Sequence, residues 1–166
     1  LVTGEAATLR RLRRATGSRI RQFGRGKTII AGYGQVGQTV DDLLADAGIS
    51  RTVVDIDPGD GVDVVGDVTV AETLREAGIE DAQSVVLALP EEADVEFATL
   101  VIRDIDPTTE VIARAETTEA VSKIYRAGAD YTLSLATISG RSIASLVIDD
   151  DEILGIETNV EIIKTT

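Results

Sequence analysis

Cysteine and histidine are absent from this chain. Without cysteine there is no disulfide framework, no thiolate nucleophile and no thiolate metal site. Without histidine the usual general base and the usual zinc ligand are missing as well. Aromatic residues are scarce, two Phe and three Tyr, so the bulk of a core must come from Val, Ile and Leu. That palette suits a parallel sheet covered by helices. No apolar run approaches the ~18 residues that span a bilayer. Lysine is rare too, three residues against thirteen Arg.

Acid is what the chain has in excess, with a formal net charge of −13. The charge is unevenly spread. Residues 1–27 carry Arg10, Arg11, Arg13, Arg14, Arg19, Arg21, Arg25 and Lys27 against Glu5, a net of +7, and the rest of the chain carries −20. So acidic a body repels the phosphates of nucleic acid and argues against such a partner. Heavy Asp and Glu with little Lys resembles the composition of proteins from a high-salt cytoplasm, where self-repulsion is screened. At 166 residues with 43% hydrophobic content, the chain suits one domain with a single buried core.

The strongest local signal is Thr28-Ile29-Ile30-Ala31-Gly32-Tyr33-Gly34-Gln35-Val36-Gly37. An apolar run enters a G-x-G-x-x-G turn, and an amphipathic stretch (Val36, Val40, Leu43, Leu44) leaves it. In such a strand–turn–helix unit Gly32 permits the tight turn, Gly34 admits a pyrophosphate, and Gly37 lets the helix pack on the sheet. The helix N-terminus offers N–H groups and partial positive charge to an anion. The motif calls for an acid at the end of the next strand, and Asp55 stands eighteen residues after Gly37. A carboxylate there accepts hydrogen bonds from ribose hydroxyls and repels a 2′-phosphate. The plain alternative is a Gly-rich turn in a sheet protein that binds nothing.

Beyond the motif, strand and helix alternate. Strands are expected at 28–32, 51–56, 62–65, 84–89, 110–114 and 130–134, and helices at 35–47, 69–77, 92–103, 117–127 and 138–148. Gly48, Gly78 and Gly128 each follow a helical run, as C-terminal caps do. The Gly-rich stretch 57–62 is too short for a normal crossover helix. The pattern predicts an α/β fold, a Rossmann-like doubly wound parallel sheet of about six strands, with its ligand crevice beyond the carboxyl ends of the strands. Residues 1–27 read as a basic linker or juxtamembrane segment, 28–149 as the sheet domain, and 150–166 as a linker and the first strand of a further lobe. With Leu rather than Met in first position, a longer parent chain is expected.

Several blocks together resemble the nucleotide-binding N-terminal lobe of the family that regulates conductance of K⁺, the RCK or Trk-A N-terminal family. They are Ile30 to Gly37, Val54-Asp55-Ile56-Asp57, Gly66-Asp67-Val68-Thr69, Leu74 to Ile79, Val111 to Ala115, Ala127-Gly128-Ala129-Asp130 and Ile138-Ser139-Gly140-Arg141. The resemblance implies that Gly32, Tyr33, Gly34, Gln35, Val36 and Gly37 hold a diphosphate and that Asp55, followed by Ile56 and Asp57, reads the ribose. It places Asp67 and Val68 at the adenine, Leu89 and Pro90 on the pocket wall, and Arg114 on the phosphate side. Asp67 also fits a mere turn-former. Some triphosphate-binding relatives have a basic residue where this chain has Gln35, so NAD (NAD⁺ or NADH) is the expected ligand, with ADP, ATP or AMP as alternatives. Calcium-gated relatives have acids at the positions of Ala88, Arg114 and Glu116, of which this chain keeps Glu116 alone, so no metal site is expected.

What the resemblance implies is a sensor rather than an enzyme. The lobe would sit at the cytoplasmic face of the cell membrane and control a potassium channel or uptake system, fused or separate. It would form a homodimer, and a larger ring in the full-length protein, through the helical faces at 92–103 and 117–127 and a crossing helix at 138–148. An NAD-dependent dehydrogenase or epimerase fragment is the second reading. It lacks a histidine, and none of Tyr33, Tyr125 and Tyr131 has a Lys three residues later. A third is an interaction domain whose nucleotide pocket is vestigial.

Overall fold

The structure, a computed structural model, describes residues 26–148. The expected tail strand within 150–166 and the basic segment 1–27, apart from its last two residues, lie outside the described residues. In chain order the elements are β1 (Lys27–Ala31), α1 (Gln35–Asp46), β2 (Arg51–Asp55), β3 (Val64–Val65), α2 (Ala71–Glu76), β4 (Ala82–Leu87), α3 (Glu92–Ile105), β5 (Glu110–Ala115), α4 (Thr118–Ala127), β6 (Tyr131–Ser134) and α5 (Leu135–Ile148). Among the described residues, six strands form one parallel sheet in the order β3-β2-β1-β4-β5-β6. This is the doubly wound α/β sheet that the alternating pattern predicts.

The strands are Val-, Ile- and Ala-rich because both faces are covered. Ile29, Ile30, Val54, Val85, Leu87 and Val111 are wholly buried. Full burial of such a side chain stabilises by about 1.5–3 kcal/mol relative to exposure. Helix α3 turns Val95, Ala98, Thr99 and Ile102 inward, the i, i+3, i+4, i+7 stripe of an amphipathic helix. Its last turn is tied to the amino end of the sheet by Arg103. The guanidinium donates from Nε to the Gly128 carbonyl (2.8 Å), from Nη1 to the Thr109 carbonyl (2.5 Å) and from Nη2 to Asp130 Oδ2 (2.6 Å). Asp130 Oδ2 also accepts the Val111 N–H at 2.8 Å.

Most element boundaries fall near the expected ones, and the departures have local causes. Strand β4 starts at Ala82 rather than 84, because a single 3-10 turn at Ile79–Asp81 leads straight into the sheet. Helix α5 starts at Leu135 rather than 138: it leaves β6 without a loop, and the Ser134 hydroxyl accepts the Thr137 N–H at 3.3 Å. Described residues 56–63, between β2 and β3, form no helix, as their length and glycines predict. No helix among the described residues is long and apolar enough to cross a membrane.

Candidate functional site

Strand order reverses direction between β1 and β4, and beyond the carboxyl ends of these strands a cleft of about 670 Å³ opens. The β1–α1 loop contributes Gly32, Tyr33 and Gly34 to its wall, and the end of β2 contributes Asp55, Ile56 and Asp57. Asp67 and Val68 follow from β3, Leu89 and Pro90 from β4, and Arg114 from β5. Residues distant in sequence thus converge on one crevice. Gln35, Val36 and Gly37 are not on its wall. Gln35 is exposed at the start of α1, Val36 is half-buried, and Gly37 faces inward.

The three glycines of the turn do different work. A Cβ on Gly32, whose φ is +96°, would lie 2.7 Å from the Ala88 carbonyl oxygen. One on Gly37 would lie 1.9 Å from the Gly32 oxygen, so loop and helix pack there backbone to backbone. A Cβ on Gly34 would meet nothing within 4 Å, and this glycine lines the cleft. Helix α1 starts at Gly34 with no side-chain cap and no acid in its first turn among the described residues. Its first N–H groups and its dipole therefore remain available to an anion.

Asp55 is held in place before any ligand arrives. Its Oδ2 accepts the Tyr33 N–H at 2.6 Å and its Oδ1 the Asp57 N–H at 2.9 Å. Each oxygen keeps a further lone pair for an incoming hydroxyl. Tyr33 is fixed in turn, its hydroxyl donating to Asp41 Oδ2 at 2.8 Å while Arg51 pairs with the other oxygen. A Cβ on Gly61 would lie 2.6 Å from the Tyr33 hydroxyl, so the ring also braces the loop after β2. Burial pushes the Asp41 carboxyl up, but hydrogen bonds from Arg51 and Tyr33 outweigh it and hold the group below the ordinary carboxylate value. The hydrogen bond to Asp41, with burial, raises the Tyr33 phenol.

Sequence reasoning missed this Asp41–Arg51 anchor. It read Val36, Val40, Leu43 and Leu44 as the apolar side of an amphipathic stretch, yet Gly37 and Asp41 are the buried residues of α1 and Leu43 is exposed. One signal was available: Asp41 stands four residues after Gly37, hence on the same helical face. Gln38, Asp60 and Asp94 also line the cleft, and no motif marked them; Gly66, which opens the block containing Asp67, lines it too. Asp67 proves to be a turn-former and a lining residue together. Its Oδ1 accepts the Thr69 hydroxyl (2.6 Å) and N–H (2.9 Å), which hold its carboxyl below the usual range.

Charge on the wall is lopsided. Asp55, Asp57, Asp60, Asp67 and Asp94 face one cation, Arg114, among the described lining residues. The Arg114 side chain is 18% exposed and pairs with Glu116, while its Nε is buried with no hydrogen-bond partner among the described residues. Ala88, just past the end of β4, is buried. Among the described residues no group of three or more His, Cys, Asp or Glu is placed to hold a metal ion.

Residues 28–135 match the family described as the TrkA-N domain. The chain belongs to the TrkA-N family. This TrkA-N domain is 29% identical over 147 residues to the probable potassium channel protein 2 of Methanocaldococcus jannaschii, a match covering 82% of the chain and 43% of that protein. Among solved structures, the GsuK channel bound to NAD is 28% identical with a TM-score of 0.72, over 78% of this chain and 24% of that one. GsuK bound to ADP is 29% identical with a TM-score of 0.70, over 77% and 35%. The domain spans less than half the length of the curated relatives it matches.

Proposed function

We propose that this TrkA-N domain is a nucleotide-sensing regulatory module of a potassium channel or potassium uptake system, that its ligand is NAD⁺ or NADH, and that it is not an enzyme. The observation that carries the reading is Asp55, held at the mouth of the cleft by the Tyr33 and Asp57 N–H groups with lone pairs to spare. In this reading the carboxylate takes the ribose diol, and the Gly32–Gly37 turn and uncapped α1 N-terminus take the diphosphate. Arg114 meets the diphosphate from the other side. Asp67 and Val68 flank the adenine, with Ile56, Leu89 and Pro90 as apolar wall. ADP, ATP and AMP share the adenosine phosphate half and are weaker alternatives. Tyr33 lines the cleft, but its hydroxyl is committed to Asp41 with its pKa raised, which argues against proton transfer from it.

The domain would act at the cytoplasmic face of the membrane, beside a membrane-embedded channel or transporter subunit. Ligand would shift a homodimer, or a larger ring in the full protein, between two arrangements. Apolar surface supports self-association: Phe97 and Leu100 on α3 and Ile143, Leu146 and Val147 on α5 are all more than half exposed. Light scattering at micromolar concentration in high salt should give a dimer, and a monomer would count against that part of the reading. The ligand is tested by thermal-shift titration with NAD⁺, NADH, NADP⁺, ADP and ATP. NAD(H) should stabilise far more than NADP⁺, and Asp55→Ala should weaken NAD binding by about tenfold, the equivalent of 1.4 kcal/mol. Equal shifts with NAD⁺ and NADP⁺, or normal NAD binding by Asp55→Ala, would remove Asp55 from that role.

A further inference from the structure

We propose that Glu116 is a built-in competitor of the nucleotide's phosphates for Arg114, and that it sets how long a phosphate chain the cleft accepts. The inference rests on the nucleotide reading above and adds a residue that does not line the cleft.

Arg114 is the one cation facing the five aspartates of the described wall, so an anionic ligand depends on it. Its side chain is largely buried, which limits where the guanidinium can reach. The guanidinium is incompletely satisfied, paired with Glu116 while Nε is buried without a partner among the described residues. A guanidinium offers five donors, and a phosphate oxygen arriving from the cleft gains a charge-assisted bond from those still open.

Glu116 lies just past β5, in front of Thr117, whose hydroxyl caps α4 by accepting the Ala120 N–H at 3.2 Å. Its side chain is 49% exposed, so it can leave Arg114 for water without stranding a buried charge. While paired, it cancels the positive field of Arg114. A phosphate approaching Arg114 must share the guanidinium with Glu116 or displace it, against the repulsion of two like charges. That cost grows with phosphate charge. It is smallest for the diester diphosphate of NAD, larger for ADP with its terminal phosphate, and largest for ATP. Specificity thus comes from a repulsive element beside the attractive one.

The test is isothermal titration of the full chain with NAD⁺, ADP and ATP, on wild type, Glu116→Gln, Arg114→Ala and the double variant. Glu116→Gln keeps the length of the side chain and an acceptor oxygen but removes the charge. It should tighten ADP binding about three- to fivefold, the scale of a partly exposed ion pair. ATP should gain more and NAD⁺ less, and the gain should shrink as salt is raised. In the Arg114→Ala background the gain should disappear. A Glu116→Gln protein that binds ADP no better than wild type, or a gain that persists without Arg114, overturns the competition and leaves the nucleotide reading standing. A wild-type chain that binds none of the three nucleotides overturns both. The thermal midpoint of ligand-free Glu116→Gln separates a purely structural pair, for which stability falls and all three affinities weaken together.

Discussion

Arg103 and Arg114 stand at opposite ends of the same sheet, each largely buried and each beside an acid. At the amino end, every nitrogen of the Arg103 guanidinium has an acceptor: Asp130 and the carbonyls of Gly128 and Thr109. Asp130 shares its oxygen with the Val111 N–H, so the acid is committed as well. At the carboxyl end, Arg114 has Glu116 and an Nε without a partner among the described residues, and Asp55 has lone pairs left over. The difference is one of unused hydrogen-bonding capacity, not of residue type. Buried polar groups are normally satisfied. The Thr109 and Thr132 hydroxyls also lack a partner among the described residues, so it is the place of Arg114 on the cleft wall, together with its open donor, that sets it apart from the Arg103 guanidinium.

The comparison breaks most easily at Arg103. Arg103→Ala leaves the Asp130 carboxylate and two carbonyls short of partners and should cost about 2–3 kcal/mol of stability, read by urea denaturation. Nucleotide affinity of the folded fraction should be unchanged. Arg114→Ala should show the reverse, small loss of stability and large loss of affinity. If both variants lost stability and affinity alike, the division between the two ends would fail.

Gly37 and Gly34 sharpen the contrast within the cleft itself. Gly37→Ala drives a Cβ into the Gly32 carbonyl and should cost about 1–3 kcal/mol, as overpacking does. Gly34→Ala meets open space and a backbone any residue adopts (φ −72°), so the fold should hold its melting temperature while NAD titrations weaken. Tyr33→Phe comes next. It keeps the ring over Gly61 and removes the bond to Asp41, a loss of about 1 kcal/mol in thermal unfolding.

Acid gives the smallest effect. Asp41, Asp67 and Asp106 all have folded pKa values below the ordinary 3.8: Asp67 and Asp106 chiefly through the hydroxyls of Thr69 and Thr108, Asp41 through bonds that outweigh its burial. A depressed carboxylate contributes stability that is present above its unfolded pKa and lost as pH falls through its folded one. Melting temperature should therefore decline below pH ~4. Asp67→Asn and Asp106→Asn should each flatten that decline slightly, and a decline unchanged in the double variant would show that other groups govern it.

Much of the architecture is local chemistry, and that part is legible in the sequence. Apolar runs alternating with amphipathic stretches specify strands and helices, and a G-x-G-x-x-G turn with an acid after the next strand specifies one corner of the cleft. Gly48, Gly78 and Gly128 all adopt the positive φ that helix ends favour. The parallel sheet follows because near-continuous Val and Ile strands must be covered on both faces. The Asp55 clasp on Tyr33 lies within this corner, since both residues belong to adjacent strand ends.

Tertiary structure alone decided the rest. That Gln35 is off the cleft wall while Gln38 lines it depends on how α1 rolls on the sheet, and Gly37 sets that roll by its contact with Gly32. That Asp41 is an internal anchor depends on Arg51 arriving from the head of β2. Asp94, far from Asp55 in sequence, joins it on the cleft wall only because β2 and β4 run parallel and end together. Arg103 and Arg114 look alike as residues in the sequence. Their partners come from other elements in one case and from two residues away in the other, and Arg114 lines the cleft whereas Arg103 does not. Periodicity carries the direction of burial along each element, but not the rotation and offset between elements. Hydrogen bonds depend on fractions of an ångström in those offsets, so which polar groups are satisfied and which are left open was settled by packing.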